Sequence, residues 1–356
     1  MYDGECEKQN KPILIIPAAG KSSRYPNMKP KWMLTHCSGE LMIEKVIAGL
    51  NLKNYKKVYF VILKEHCEKY EADVILRQAF KDQDFFEITV LEESTNSSPE
   101  TVFNFIKKNN INDHIVVKDC DCLVSYDPPQ HKNYVVGLNL KYKNIKNLQQ
   151  KSFIVCDHNN VIKEVVEKNV VSNFACLGVY AMHSSDLVKI FDRLNKQFNS
   201  EMYFSHVVSE LIESGVSFLM SEASNFHDWG TREEWFDSEE NKKTYFVDID
   251  GVVLFNTGKY GSKNWYNTVD PIDDNVNTIK KLSDSGNELI FVTSRTEDAL
   301  DLVKKFLEKE NIKYKTIISG CLHSKRIIIN DFAVSNPFPS CVAINLPRNS
   351  KIEPYI

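Results

Sequence analysis

Nowhere does the sequence hold the run of ~20 apolar residues that a membrane-spanning helix requires. Its opening, Met1 to Lys11, is polar and acidic, without the apolar stretch of a secretory leader. A basic excess is missing too: 44 Lys and Arg stand against 48 Asp and Glu, a net charge of −4, which gives no electrostatic footprint for nucleic acid. The nine cysteines include no C-x-x-C pair. Cys120 and Cys122 lie two apart in a strand-like run and share a face, which favours reduced core thiols over a zinc site. No internal repeat or low-complexity tract interrupts the chain. The expectation is a cytoplasmic protein that engages neither membrane nor nucleic acid.

What is present is enough for two cores, since 356 residues exceed what one usually organises. Pro12 to Pro17 encloses an unbroken apolar run, the pattern of a strand buried on both faces of a parallel sheet. Helix at Leu41–Leu50, strand at Lys57–Leu63, helix at His66–Phe80, strand at Ile88–Leu91, helix at Thr101–Lys108 and strand at Ile115–Lys118 then alternate, as in a doubly wound α/β domain. Strand-like runs follow one another from Tyr134 to Met182, suggesting an antiparallel insert, before helices resume at Ser185–Leu194 and Ser205–Glu213. Asp237 to Lys243 carries no apolar residue, so a boundary is expected there: domains 1–240 and 241–356. After it the α/β pattern starts afresh with a strand at Thr244–Ile249. Helices follow at Asp274–Ser285 and Asp298–Lys309, and strands at Glu288–Thr293, Thr316–Ile318, Ile327–Asn330 and Ser340–Asn345.

The first strand runs directly into Ala18-Ala19-Gly20-Lys21-Ser22-Ser23-Arg24, a small-residue loop of the kind that binds phosphate on backbone N–H groups. Arg24 adds a forked cation and Lys31 a second one. With Pro30, Lys31 and Leu34 at the right distance, this run resembles the opening motif of the sugar-phosphate nucleotidyltransferase family, with Ser22 where the family has its second glycine. The resemblance extends over residues 12 to 236. Asp121, ending the strand at 115–118, resembles the family's first Mg²⁺-binding acid, with Asp119 the nearby alternative. Asp228 in Asp228-Trp229-Gly230-Thr231 resembles the second. Each acid alone would read as a turn or cap residue. Glu167, Lys168 and Asn173 resemble the segments that meet the acceptor, although Glu167 and Lys168 also read as a solvated strand end.

That resemblance implies a Rossmann-like domain with a mixed sheet. It also implies Mg²⁺-dependent transfer of a nucleotidyl group to a phosphorylated small molecule, with release of pyrophosphate. The nucleoside triphosphate would lie on residues 18–24, with Arg24 on the leaving pyrophosphate and Lys31 on the transferring phosphoryl group. CTP is favoured, from likeness to small capsule-type transferases, with a phosphorylated sugar or polyol as acceptor and surface-polysaccharide synthesis as the setting. A homo-oligomer is possible.

In the second half, Asp248-Ile249-Asp250-Gly251 ends an apolar strand. Thr293 ends a second strand, Lys325 precedes Ile327-Ile328-Ile329, and Asp331 follows Asn330. In that order these residues resemble the four motifs of the haloacid-dehalogenase-like hydrolases, though the fourth has one acid rather than two. The resemblance implies a small HAD-like α/β phosphatase domain with a minimal cap. Asp248 would be the nucleophile and Asp250 the proton carrier. Thr293 and Lys325 would hold phosphate. Mg²⁺ would sit on Asp248, Asp331 and the carbonyl of Ile249 or Asp250. The segment from Gly258 to Tyr266 reads equally as a flap or as a plain loop. Two other readings remain open: a phosphatase with a regulatory nucleotide-sugar-binding domain, and a transferase with an inert second domain.

Overall fold

The computed structural model describes residues 11–22, 24–25, 28–141, 145, 147–198, 202–236, 242–256, 265–266, 269–331 and 341–356. The chain separates into two compact units, Met1–Ser238 and Glu239–Ile356. Ser23, the charged stretch 237–241, residues 257–264 (most of the segment that reads as a flap or a plain loop) and Ser340 lie outside the described residues.

In the first unit the apolar run becomes β1 (Ile13–Pro17), buried at every position. It lies parallel to β2 (Lys57–Leu63), which pairs with β3 (Phe86–Leu91), and on its other side to β4 (His114–Lys118). The remaining strands are β5 (Cys122–Tyr126), β6 (Tyr134–Asn139), β7 (Ser152–Cys156), β8 (Ile162–Glu167), β9 (Phe174–His183) and β10 (Leu219–Asp228). The sheet order is β3-β2-β1-β4-β9-β6-β10-β5, with the β7–β8 hairpin attached through β9. The sheet is mixed, because β9 runs antiparallel to β4 and β6 while β6 runs parallel to β10. Residues 134–182 are therefore not an insert on a finished sheet. Their β9 is the sheet's middle strand, buried at eight of its ten positions.

Helices α1 (Met42–Ala48), α2 (Lys64–Tyr70), α3 (Ala72–Ala79), α4 (Ser98–Asn109), α5 (Ser184–Gln197), α6 (Phe204–Glu213) and α7 (Arg232–Phe236) complete the first unit. The single helix expected over 66–80 is two, because Glu71 adopts a left-handed φ of 53° that ends one and begins the next. α4 starts on Ser97, whose side chain accepts the Glu100 N–H, with proline in its first turn. Among the described residues no helix is long and apolar enough to cross a membrane.

Among the described residues the second unit has three parallel strands, β11 (Thr244–Asp248), β12 (Glu288–Val292) and β13 (Thr316–Ile318), in that order. Helices α8 (Asp273–Asp284) and α9 (Asp301–Lys309) contribute Val276, Ile279, Val303 and Leu307 to its core. The strands expected at Ile327–Asn330 and Ser340–Asn345 are not present among the described residues. Ile327 is 76% and Ile329 92% exposed, so apolar content without a packing partner does not make a strand.

Candidate active site

The loop after β1 divides into a buried and an open half. Ala18 and Ala19 continue the strand into the core, and the Ala18 N–H is already taken by the Val61 carbonyl of β2 (2.8 Å). Gly20, Lys21 and Arg24 are exposed. Ser22, standing in the family's glycine position, has a left-handed φ of 50°. That conformation is strained for serine and natural for glycine. Its hydroxyl accepts the Lys31 N–H (3.3 Å), tying the loop to the Pro30–Lys31 segment.

The Lys31 side chain closes on Asp121 in a part-buried ion pair. Burial works against the Lys31 ammonium, but Asp121 outweighs it and the net shift is upward. For Asp121, burial is overcome by Lys31, Arg24 and Lys151, which hold the carboxyl well below its usual range. Asp119, on the same turn, behaves in the opposite way. Burial and then the Asp121 charge push it up to about 6, against the pull of Lys118, Lys31 and Lys151.

Asp228 reaches this cluster from near the end of the first unit. It ends β10 opposite Cys122 of β5, and the next residue, Trp229, donates its N–H to the Asp121 carbonyl (2.9 Å). Gly230 is the point of convergence. A Cβ added there would lie 3.3 Å from Asp228 Oδ1 and 3.6 Å from both Asp121 Oδ2 and Arg24 Nη1. The missing side chain is thus the space that two carboxylates and a guanidinium look into. Gly230 also donates its N–H to Asp228 Oδ1 (3.2 Å). Lys151, just before β7, forms a close ion pair with Asp228 Oδ2. Burial raises the Asp228 carboxyl, Lys151 opposes the rise, and the net direction is upward.

The acceptor candidates are only partly gathered. Glu167, at the end of β8, accepts the hydroxyls of Ser152 and Ser205 (the latter at 2.5 Å). Lys168 donates to the Tyr203 hydroxyl (2.6 Å), lies 4.3 Å from that ring's centroid, and gives its N–H to the Lys151 carbonyl (3.0 Å). Asn173 is elsewhere. Phe153 registers with Ala175, and Ser172 donates to the Ile154 carbonyl, which places Asn173 further along β7, away from Ser152 and Glu167.

In the second unit, Asp248 ends β11 in register with Val292, and Thr293 follows, fully buried, so these two motif residues share one sheet edge. Arg326 rather than the expected Lys325 meets Asp248, through Nη1 and Nη2 at 3.2 and 3.3 Å. Burial raises the Asp248 carboxyl and Arg326 works against it. Asp250 is held in a fork by Arg295, with Nη2 2.6 Å from Oδ1 and Nε 2.9 Å from Oδ2. Asp250, expected as the proton carrier, thus has both carboxylate oxygens engaged by Arg295. Lys325 and Asp331 lie on an exposed irregular segment, because the strand meant to present them is not formed.

Solved structures share the fold of the first unit. A nucleoside-diphosphate-sugar pyrophosphorylase from Vibrio cholerae RC9 is 20% identical over 63% of this chain and 98% of that one, with a TM-score of 0.54. An inositol-1-phosphate CTP transferase from T. maritima is 11% identical over 65% and 94%, with a TM-score of 0.52. A putative glucose-1-phosphate thymidylyltransferase from Bacillus anthracis is 18% identical over 62% and 92%, with a TM-score of 0.50. Of the two units, only the first is long enough to supply such shares. No protein-family model matches the sequence, and no curated protein is similar to it.

Several residues around the site had no role assigned from the sequence. Lys118 is fully buried on β4 and donates to the carbonyls of Asp119 (2.8 Å) and Cys122 (2.7 Å) and to Cys122 Sγ (3.0 Å), pinning the turn that presents both acids. Tyr25 points its hydroxyl at the Trp229 and Thr231 carbonyls (2.5 and 2.7 Å), and burial first, then the nearby carboxylates, keeps it neutral. Lys151, Arg295 and Arg326 were likewise silent in the sequence. The one available signal was a basic residue beside a strand end that also holds candidate acids.

Proposed function

We infer that the first unit is a nucleotidyltransferase acting on a phosphorylated small molecule. The observation that carries this reading is the convergence of Asp121, Asp228 and Arg24 on the Gly230 backbone, beside a small-residue loop after β1. An acceptor phosphate oxygen attacks the α-phosphorus of a nucleoside triphosphate, a new P–O bond forms, and the bond to the β-phosphate oxygen breaks to release pyrophosphate. Such a reaction demands positioning and charge neutralisation more than covalent chemistry.

Two carboxylates facing one small space suit Mg²⁺, which accepts one or two protein oxygens and fills its sphere with water and phosphate. Asp121 and Asp228 would hold it, and bound there it would offset phosphate charge. Around them, Arg24 orients the departing pyrophosphate and Lys31 lies against the transferring phosphoryl group. The Gly20–Ser22 backbone meets the triphosphate, and Lys168, backed by Tyr203, takes the acceptor phosphate. CTP is the favoured nucleotide. The test is a matrix of the four nucleoside triphosphates against phosphorylated sugars and polyols, read by pyrophosphate release. A matrix with no acceptor-dependent release under any combination rejects the reading.

A second activity, phosphate-ester hydrolysis by the other unit, rests on Asp248 ending β11 beside the buried Thr293. In this reading Asp248 attacks phosphorus while the P–O bond to the ester oxygen breaks and that oxygen leaves with a proton from Asp250. Water, deprotonated by Asp250, then cleaves the aspartyl-phosphate to release inorganic phosphate and restore Asp248. Thr293 binds the phosphate, and Arg326 takes the charge-offsetting role foreseen for Lys325. The same matrix, read for inorganic phosphate, tests it against an Asp248→Asn control. Equal phosphate release from both proteins rejects it.

A further inference from the structure

The two acids of the site have their charges met in different ways. Asp121 pairs with Lys31, which belongs to the motif-bearing segment next to the phosphate loop. Asp228 Oδ1 accepts the Gly230 N–H, while its buried Oδ2 is met by the Lys151 ammonium in a close ion pair. Lys151 belongs to the opposite side of the site, where its carbonyl accepts the N–H of Lys168. The side chains of Lys151 and Asp228 are only 19% and 12% exposed, so neither charge tolerates being left alone.

We propose that Lys151 is an internal counter-ion that holds Asp228 until a phosphate-bearing substrate draws the ammonium away, so that divalent-cation binding depends on phosphate binding. The proposal rests on the reading of Asp121 and Asp228 as the cation site. With Lys31 on one acid, Lys151 on the other and the Arg24 guanidinium beside both, the two carboxylates carry no net negative charge to offer. An entering divalent cation gains little from such a cluster and must displace an ammonium. A phosphate group offers Lys151 a new partner and frees Asp228 Oδ2. By linkage, the cation must then strengthen phosphate binding to the same extent. Ordered in this way, the site assembles its cation only when there is a phosphate to act on.

Mn²⁺ binding followed by electron paramagnetic resonance tests this, with and without inorganic phosphate. The full chain is used, carrying Asp248→Asn to silence the second unit, and the site's share is the binding that Asp228→Asn removes. Lys151→Met and Lys151→Gln should each tighten phosphate-free Mn²⁺ binding about tenfold and shrink the gain that phosphate brings. Lys151→Arg should behave as the parent does. Equal or weaker phosphate-free binding in both neutral variants, with the Asp228-dependent share intact, overturns the counter-ion role alone. Absence of any Asp228-dependent Mn²⁺ binding overturns the cation-site reading along with it.

Discussion

Asp119 and Asp121 sit two residues apart on one turn, yet their surroundings drive them in opposite directions. Asp121 is gripped by Lys31 and stays ionised, whereas burial and its neighbour's charge push Asp119 up to about 6. A carboxyl with an ordinary value of 3.8 when unfolded therefore keeps its proton in the folded chain over a window from about pH 4 to about pH 6. In that window the native state binds more protons than the unfolded one, so the Asp119 contribution to stability falls as pH rises. Asp119→Asn cannot titrate and loses this decline. Urea unfolding in EDTA at pH 4, 5, 6 and 7 should show wild type losing stability relative to Asp119→Asn across the series. Parallel profiles would contradict the assignment. Asp121 has the opposite sign, its contribution being present at neutral pH and lost as pH falls through its depressed value.

At the scale of elements, the Asp228 motif is a strand end, a tight link and a helix start. Asp228 closes β10, Gly230 leaves room for the carboxylates, and Thr231 caps α7. Thr231 Oγ1 accepts the Glu234 N–H while Glu234 Oε2 accepts the Thr231 N–H, a reciprocal cap that fixes the motif's last residue. Tyr25, just after the loop that follows β1, braces that link through its hydroxyl. Tyr25→Phe removes the one hydroxyl proton that the Trp229 and Thr231 carbonyls share in a buried setting, and should cost about 1–3 kcal/mol in urea unfolding. It should also slow pyrophosphate release, because the Trp229–Thr231 link that follows Asp228 loses its tie to the loop after β1. Unchanged stability and rate would contradict that bracing role. The sequence displayed β1 to β4 well, since unbroken apolar runs between helical patterns have few other readings. It hid β5 and most of β10, whose alternating Cys122–Tyr126 and polar Asn225–Asp228 resemble loops until they pair with each other. The acids of the site were legible because a motif surrounds them. Lys118 and Lys151 were not, because pairing across strands, not neighbours in sequence, gives each its place. Similarly, the run Ile327–Ile329 spelled a strand by composition, yet the three-stranded sheet closes at β13 without it.

As a whole molecule, the chain has two units with separate cores and separate acid-bearing strand ends. A chain divided within 237–241 is expected to give two soluble pieces, the first releasing pyrophosphate and the second phosphate. Insolubility of both pieces would show that the units depend on each other. Nucleotidyl transfer by the first unit stands or falls on whether Asp121 and Asp228 act together. The decisive measurement is pyrophosphate release from CTP by the full chain with a phosphorylated sugar or polyol, in wild type, Asp121→Asn and Asp228→Asn. The expected result is release that requires both acceptor and divalent cation, and that falls on the order of 100-fold or more in each variant, while phosphate release by the second unit is unchanged. Acceptor-dependent release at wild-type rate in both variants would contradict it.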